Sequence, residues 1–185
     1  MMDELSLNIL DIAQNSIAAG ASLVEIDIDE DSSSNLITIS VKDNGKGMSE
    51  EFLKTVEDPF ITTRTTRKIG LGISFFKEAA EMTGGSLKIT SQLGAGTTIT
   101  AVFVSSHIDC QPIGNLTDTI ISLVTLNPQI DFIFNYKVNS EIFTFSTQEV
   151  KEQVGENTPL SSPPIVIFLT EYVNENIQNL SGGAR

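Results

Sequence analysis

Asp11 and Asn15 stand four positions apart in the segment "ELSLNILDIAQNSIAA", residues 4–19, so in a helix they share one face, with Asn8 on the same side. An Asn amide oxygen is a hard ligand suited to Mg2+, which takes one or two protein ligands and completes its shell with phosphates and water. An Asp one turn away can orient or deprotonate a water or a hydroxyl. The same residues equally suit the solvated side of an amphipathic helix whose apolar stripe is Leu5, Ile9, Ile12, Ala13 and Ile17.

The stretch "VKDNGKGMSE", residues 41–50, admits two readings. Asn44-Gly45 is a strong hairpin signal. Yet Asp43, at the end of a predicted strand, is costly to bury without a hydrogen-bond donor, and the exocyclic amine of adenine is such a donor. Gly45 and Gly47 leave room for backbone to approach a flat ring, and Met48 offers a soft apolar surface to cover it. Turn and ligand site both remain open here.

"KIGLGIS", residues 68–74, puts Gly70 and Gly72 at the entrance of a predicted helix, where free N–H groups and the helix dipole favour an anion; a plain helix-entry glycine has the same look. The loop before it holds Arg64, Arg67 and Lys68, three of the 11 basic residues of the chain. Such a local reversal of sign suits a phosphate. In "LGAGTT", residues 93–98, the glycines suit a hairpin, and Thr97 can reach a base directly or through water.

The elements that must position these residues follow from periodicity. The first helix, over 4–19, ends at Gly20. "LVEIDID" and "LITISVK" alternate as strands, a short helix is predicted around 49–56, and helical spacing resumes over 73–83 before Gly84-Gly85. "SLKITSQ" and "TTITAVFV" are two more strands. Composition shifts near Ser105-Ser106. Beyond it come a helix over "NLTDTIISLVTLN", a hairpin "IDFIFNYKV"/"EIFTFST" across Asn139-Ser140, a short helix over "TQEVKEQVG", a linker, and a last helix starting at Pro163. This order predicts an α+β fold, a two-layer sandwich with a mixed, largely antiparallel sheet. The expected division is a domain over 1–105 and a small α+β appendage over 106–185.

Composition narrows the classes of function. A net charge of −13 over 185 residues disfavours nucleic acid and anionic membrane as partners. A single cysteine, Cys110, excludes an internal disulfide and a cysteine metal cage, and the lone His107 leaves little material for a catalytic triad. No leader and no apolar run of membrane-spanning length is legible, so a cytoplasmic protein is expected.

Taken together and in this order, "DIAQNS", "DNGKGM", "DPFITT" and "GLGIS" with "GAGT" resemble the four boxes of the GHKL ATP-binding domain, shared by gyrase-type topoisomerases, heat-shock chaperones, histidine kinases and mismatch-repair ATPases. The resemblance spans about residues 4–104. It implies ATP and Mg2+ as cofactors, Asn15 on the metal, Asp43 on the adenine amine, and Gly70 and Gly72 along the phosphates. It also implies nucleotide contacts from Gly45, Gly47, Met48 and Thr97, from Phe60, Thr62, Thr63, Arg64 and Lys68, and from Leu71 and Ile73, with Asp11 as the catalytic group. The "DPFITTR" and "GGSLKITSQLGAGTTITAVF" stretches are most similar to histidine kinases. Two departures stand out: Lys68 replaces the first glycine of the usual Gly-x-Gly-x-Gly, and no helical hairpin with a phosphoacceptor histidine is legible ahead of the boxes, so a domain without its own phosphoacceptor is expected.

A free-standing domain of this kind resembles anti-sigma-factor kinases, which act on a separate protein and typically carry Glu where this chain has Asp11. A reacting group displaced by about 1 Å can cost on the order of 100-fold in rate. Two readings follow from the resemblance. The first is a kinase-like regulatory protein that transfers the γ-phosphoryl to a partner protein or slowly hydrolyses ATP. The second is an ATP-gated binding module, its lid loop 58–69 ordered by nucleotide, with little chemistry. Residues 106–185 name no ligand; they are expected to dock a partner, pair two subunits in a homodimer, or cap the sheet.

Overall fold

The computed structural model describes residues 4–57, 71–155 and 158–182. The elements follow as α1 (Leu5–Ala18), β1 (Leu23–Asp31), β2 (Leu36–Asp43), α2 (Glu50–Glu57), α3 (Leu71–Met82), β3 (Ser86–Gln92), β4 (Gly96–Val104), α4 (Leu116–Leu126), β5 (Asp131–Val138), β6 (Glu141–Ser146), α5 (Thr147–Val154) and α6 (Pro163–Gly182). The strands make one six-stranded sheet in the order β3-β4-β2-β1-β5-β6. Pairing is antiparallel except between β1 and β5, which run parallel from Leu23↔Asp131 to Glu30↔Val138. The predicted α+β sandwich with a mixed, largely antiparallel sheet is thus the observed one.

Period-two alternation sorts the two faces of the sheet. One cross-strand row on the inner face runs Ile26, Val41, Ile99 and Ile89, all buried. Helices α1, α3, α4 and α6 cover this face. Phe76 of α3 packs against Phe103 of β4 with ring centroids 5.6 Å apart, and Phe134 of β5 meets Phe143 of β6 edge-on at 6.4 Å. The outer face is polar and self-paired. Lys42 holds Glu25 at 3.2 Å, Lys137 holds Asp29 at 2.8 Å, and Asn135 links Asp27 and Thr144 at 2.7 and 2.8 Å. With helices on one side and water on the other, the sheet forms a two-layer structure.

Residues 106–185 add β5 and β6 to the sheet and bury Phe132, Phe134, Phe145, Leu169 and Val173 in the same apolar cluster as Ile9 and Ile26. They also finish α1. Its N-terminus has no side-chain cap; instead the N–H groups of Leu5 and Ser6 donate to the carbonyls of Pro112 and Ile113 at 3.0 and 2.8 Å. Two donors that a helix start leaves unpaired are thereby satisfied by a distant part of the chain. At the β5–α5 junction Asp131 accepts from Lys151 at 2.7 Å, and from Gln148 and Thr147. Partial burial pushes the Asp131 carboxyl up, and these hydrogen bonds more than reverse that, holding it below the usual carboxylate range.

Candidate functional site

The row of side chains that ends the inner face is polar where the rows above it are apolar. Asp43, the last residue of β2, stands opposite Thr97 of β4, and Thr97 stands opposite Ser91 of β3. Asp43 is only 8% exposed. Its Oδ1 accepts from the backbone N–H of Gly45 at 2.8 Å and of Thr97 at 3.3 Å; its Oδ2 accepts from the Ser16 hydroxyl of α1 at 2.8 Å. Ser91 extends the chain of bonds: its hydroxyl lies 2.8 Å from Thr97 Oγ1 and accepts from the Met48 N–H at 2.8 Å. A buried carboxylate supplied with three donors is held in place.

The loop after β2 is stitched down on two sides. Asn44 accepts from the N–H groups of Ser22 and Leu23 at 2.9 and 3.0 Å. The Lys46 N–H donates to the Ala19 carbonyl at 3.0 Å, and its carbonyl accepts from Gly94 at 2.8 Å. Asn44-Gly45 is therefore no hairpin, since β2 leads through this loop into α2. Gly47 has φ +64, and a Cβ there would lie 1.9 Å from the Gln92 carbonyl oxygen. Its glycine is required by the β3–β4 turn pressing on the loop, a reason internal to the protein. At Gly45 a Cβ would stand 3.0 Å from both the Ala19 carbonyl and Asp43 Oδ1, tight against the bond that anchors the carboxylate.

Above Asp43 opens a cavity of about 450 Å³, within the range of small-ligand sites. Ile12, Ile73 and Ile99 give it apolar walls, and Met48, Phe52 and Leu93 stand around them. Asn15, Ser16, Asp43 and Thr97 supply polar groups. Asn15 and Asp11 lie on neighbouring turns of α1. Asp11 faces the first turn of α3: a Cβ on Gly72 would sit 3.1 Å from its Cβ and 3.3 Å from its Oδ2, so glycine there lets the two helices close up beside the carboxylate. Among the described residues no cluster of three His, Cys, Asp or Glu is placed to cage a metal. The hard donors at hand, the Asn15 amide and the Asp11 carboxylate, suit an ion that takes few protein ligands.

The structure thus gathers Asn15, Asp43, Gly47, Met48, Ile73 and Thr97 around one cavity, with Gly45 beneath it and Asp11 and Gly72 together at the α1–α3 contact. Leu71 is 67% exposed and does not line the cavity. Phe60, Thr62, Thr63, Arg64, Lys68 and Gly70 lie outside the described residues. Asn8, expected beside Asp11 and Asn15, is buried instead, its amide donating at 3.4 Å to the Glu4 carbonyl and to Gln111. Sequence reasoning missed Ser16 and Ser91. Strand alternation signals Ser91, which shares the face of Ile89; helical spacing signals Ser16, one turn after Ile12 on the apolar stripe.

The family described as histidine kinase-, DNA gyrase B-, and HSP90-like ATPase matches residues 1–107, more than half of the chain, and the chain belongs to it. Among its relatives are sensor histidine kinases. The sensor histidine kinase YvrG of Bacillus subtilis is 31% identical over 93 residues, 48% of this chain and 16% of that protein. ZraS of Escherichia coli is 32% identical over 98 residues, covering 53% of this chain and 21% of that one. The sensor protein SrrB of Staphylococcus aureus is 35% identical over 102 residues, 52% of this chain and 17% of its own. The match therefore spans about a fifth or less of each relative's length. A solved structure of the Aquifex aeolicus MutL ATPase domain complexed with ADP shares 15% identity, with a TM-score of 0.49 over 84% of this chain and 69% of that one.

Proposed function

We propose that this protein is a Mg-ATP-binding, kinase-like regulatory protein of the cytoplasm that transfers the γ-phosphoryl to a separate protein or slowly hydrolyses ATP. The observation that carries the reading is the anchored carboxylate of Asp43 at the base of the cavity, in a chain of this ATPase family. Asp43 accepts from the adenine amine, and Thr97 and Ser91 hold the carboxylate's surroundings fixed. Ile12, Ile73 and Ile99 take the flat faces and edges of the base, with Met48 across from them. Asn15 would hold the Mg2+, whose charge neutralises phosphate oxygens when it is bound. Asp11 orients the attacking water or hydroxyl beside it. Gly72 keeps that approach open.

Incubation with γ-labelled ATP tests the proposal. Label passing to a partner protein or to free phosphate supports it, and loss of that transfer in Asp11→Asn with nucleotide affinity intact assigns the residue. Tight binding with ATP unchanged over hours supports the second reading, an ATP-gated binding module, which the Asp in place of the usual Glu favours. No uptake of adenine nucleotide at millimolar concentration refutes both.

A further inference from the structure

The geometry points to a second binding surface, on the β6–α6 edge of the molecule, that takes a basic amphipathic helix of another protein. The edge lies across the sheet from the cavity, with β1 and β5 between β2 and β6. Here α6 leaves Ile167 60%, Phe168 54% and Tyr172 41% exposed. Phe168 and Tyr172, one turn apart, stack at 6.1 Å, and Tyr172 meets Phe143 of β6 edge-on at 5.6 Å. Beside them runs a groove of about 130 Å³ between β6, α5 and α6, lined on its apolar side by Phe145, Val150, Val154 and Leu169. It has room for one large apolar side chain. Aromatic rings held in place by one another and left open to water mark a contact surface rather than a solvated face.

Charge decides what covers it. The described residues from 141 to 182 contain Glu141, Glu149, Glu152, Glu171 and Glu175 against a single basic residue, Lys151, which is held by Asp131 at 2.7 Å. Glu149 lines the groove itself. Glu171 and Glu175 follow Phe168 by three and seven positions, so with Tyr172 they form one stripe on α6, apolar residues alternating with carboxylates. A second copy would set these carboxylates against their own kind, and an anionic membrane would be repelled as well. A helix with one or two large apolar residues, flanked at three- and four-residue spacing by Lys or Arg, matches both the groove and the stripe.

The test uses the full chain and a fluorescent 18-residue amphipathic peptide of Leu and Lys, titrated by anisotropy at low and moderate salt, with a Leu/Glu peptide as control. Binding of the Lys peptide is expected, weakening with salt. Glu171→Lys combined with Glu175→Lys, and separately Phe168→Ser, should each weaken it by about tenfold or more. Glu78→Lys on α3, also exposed, should leave it unchanged. Each of these positions is exposed, and coincident thermal unfolding confirms that the variants fold. The inference is overturned if the Lys peptide fails to bind, or if the α6 variants bind it like the parent. Equal binding of the Leu/Glu peptide overturns it too, as does a dimer that Phe168→Ser converts to monomer.

Discussion

Replacing Asp43 by Asn separates a structural role from recognition of the base. Asp43 Oδ1 accepts from Gly45 and Thr97 N–H groups, and an Asn oxygen can do the same. The amide nitrogen then takes the place of Oδ2, where Ser16 Oγ now donates at 2.8 Å; a hydroxyl can turn and accept instead. The fold should therefore survive. On the proposed reading the change toward adenine should be severe, because a donor would face the exocyclic amine and a charge-assisted hydrogen bond worth about 1.5–3 kcal/mol would be lost. At about 1.4 kcal/mol per decade, ATP affinity should fall about 10- to 100-fold. GTP, which presents a carbonyl at that position, should lose nothing or gain, so discrimination between the two purines narrows. Isothermal calorimetry with Mg-ATP and Mg-GTP reads both, with thermal unfolding as the control for folding. An Asp43→Asn variant that unfolds like the parent and binds ATP equally well would remove the carboxylate from base recognition.

Other perturbations follow from the same geometry. Asn15→Ala should spare weak nucleotide binding and abolish its magnesium dependence; an affinity still tuned by Mg2+ would leave Asn15 a lining residue of the cavity with no hold on the metal. Gly47→Ala forces a Cβ to 1.9 Å from the Gln92 carbonyl at φ +64 and should cost at least about 2 kcal/mol, a drop of about 4–8 °C in melting temperature, which scanning calorimetry measures. Asp131 has its pKa lowered in the fold, so its contribution is present above the unfolded carboxylate pKa and is lost as pH falls through the folded one. Lys151→Met should therefore destabilise at neutral pH and lose its effect in acid; a difference in urea midpoint that persists at the acid end speaks against the ion pair. Phe134→Ala should lower a single cooperative transition by about 3–5 kcal/mol, whereas a biphasic melt would show the two ends of the chain unfolding apart.

Elements with a strong local period are legible in the residues themselves. The first helix, predicted over 4–19, spans Leu5–Ala18, and the strand "SLKITSQ" is β3 residue for residue. The cavity's polar set is legible for the same reason: Asn15, Asp43 and Thr97 sit in short motifs whose neighbours betray them. Non-local contacts are not. The parallel register of β1 on β5 joins residues 108 positions apart, and each strand reads alike whether it pairs or stands at an edge. The Ser16–Asp43 bond bridges 27 positions and leaves no mark in either local pattern. Gly47 is visible as a glycine, but its cause, the Gln92 carbonyl, belongs to a turn far along the chain.

The parallel neighbour of β1 limits how the molecule can be shortened. A chain cut where the family match ends, after residue 107, would strip β1 of β5 and leave its whole flank of N–H and C=O groups raw. It would also uncap α1 at Leu5 and Ser6, the helix that carries Asn15 and Ser16. Such fragments tend to stick edge to edge before they can bind anything. During synthesis the same vulnerability lasts until residue 138 emerges, so β1 and the helix that carries Asn15 and Ser16 are braced only by residues made well after those that line the cavity.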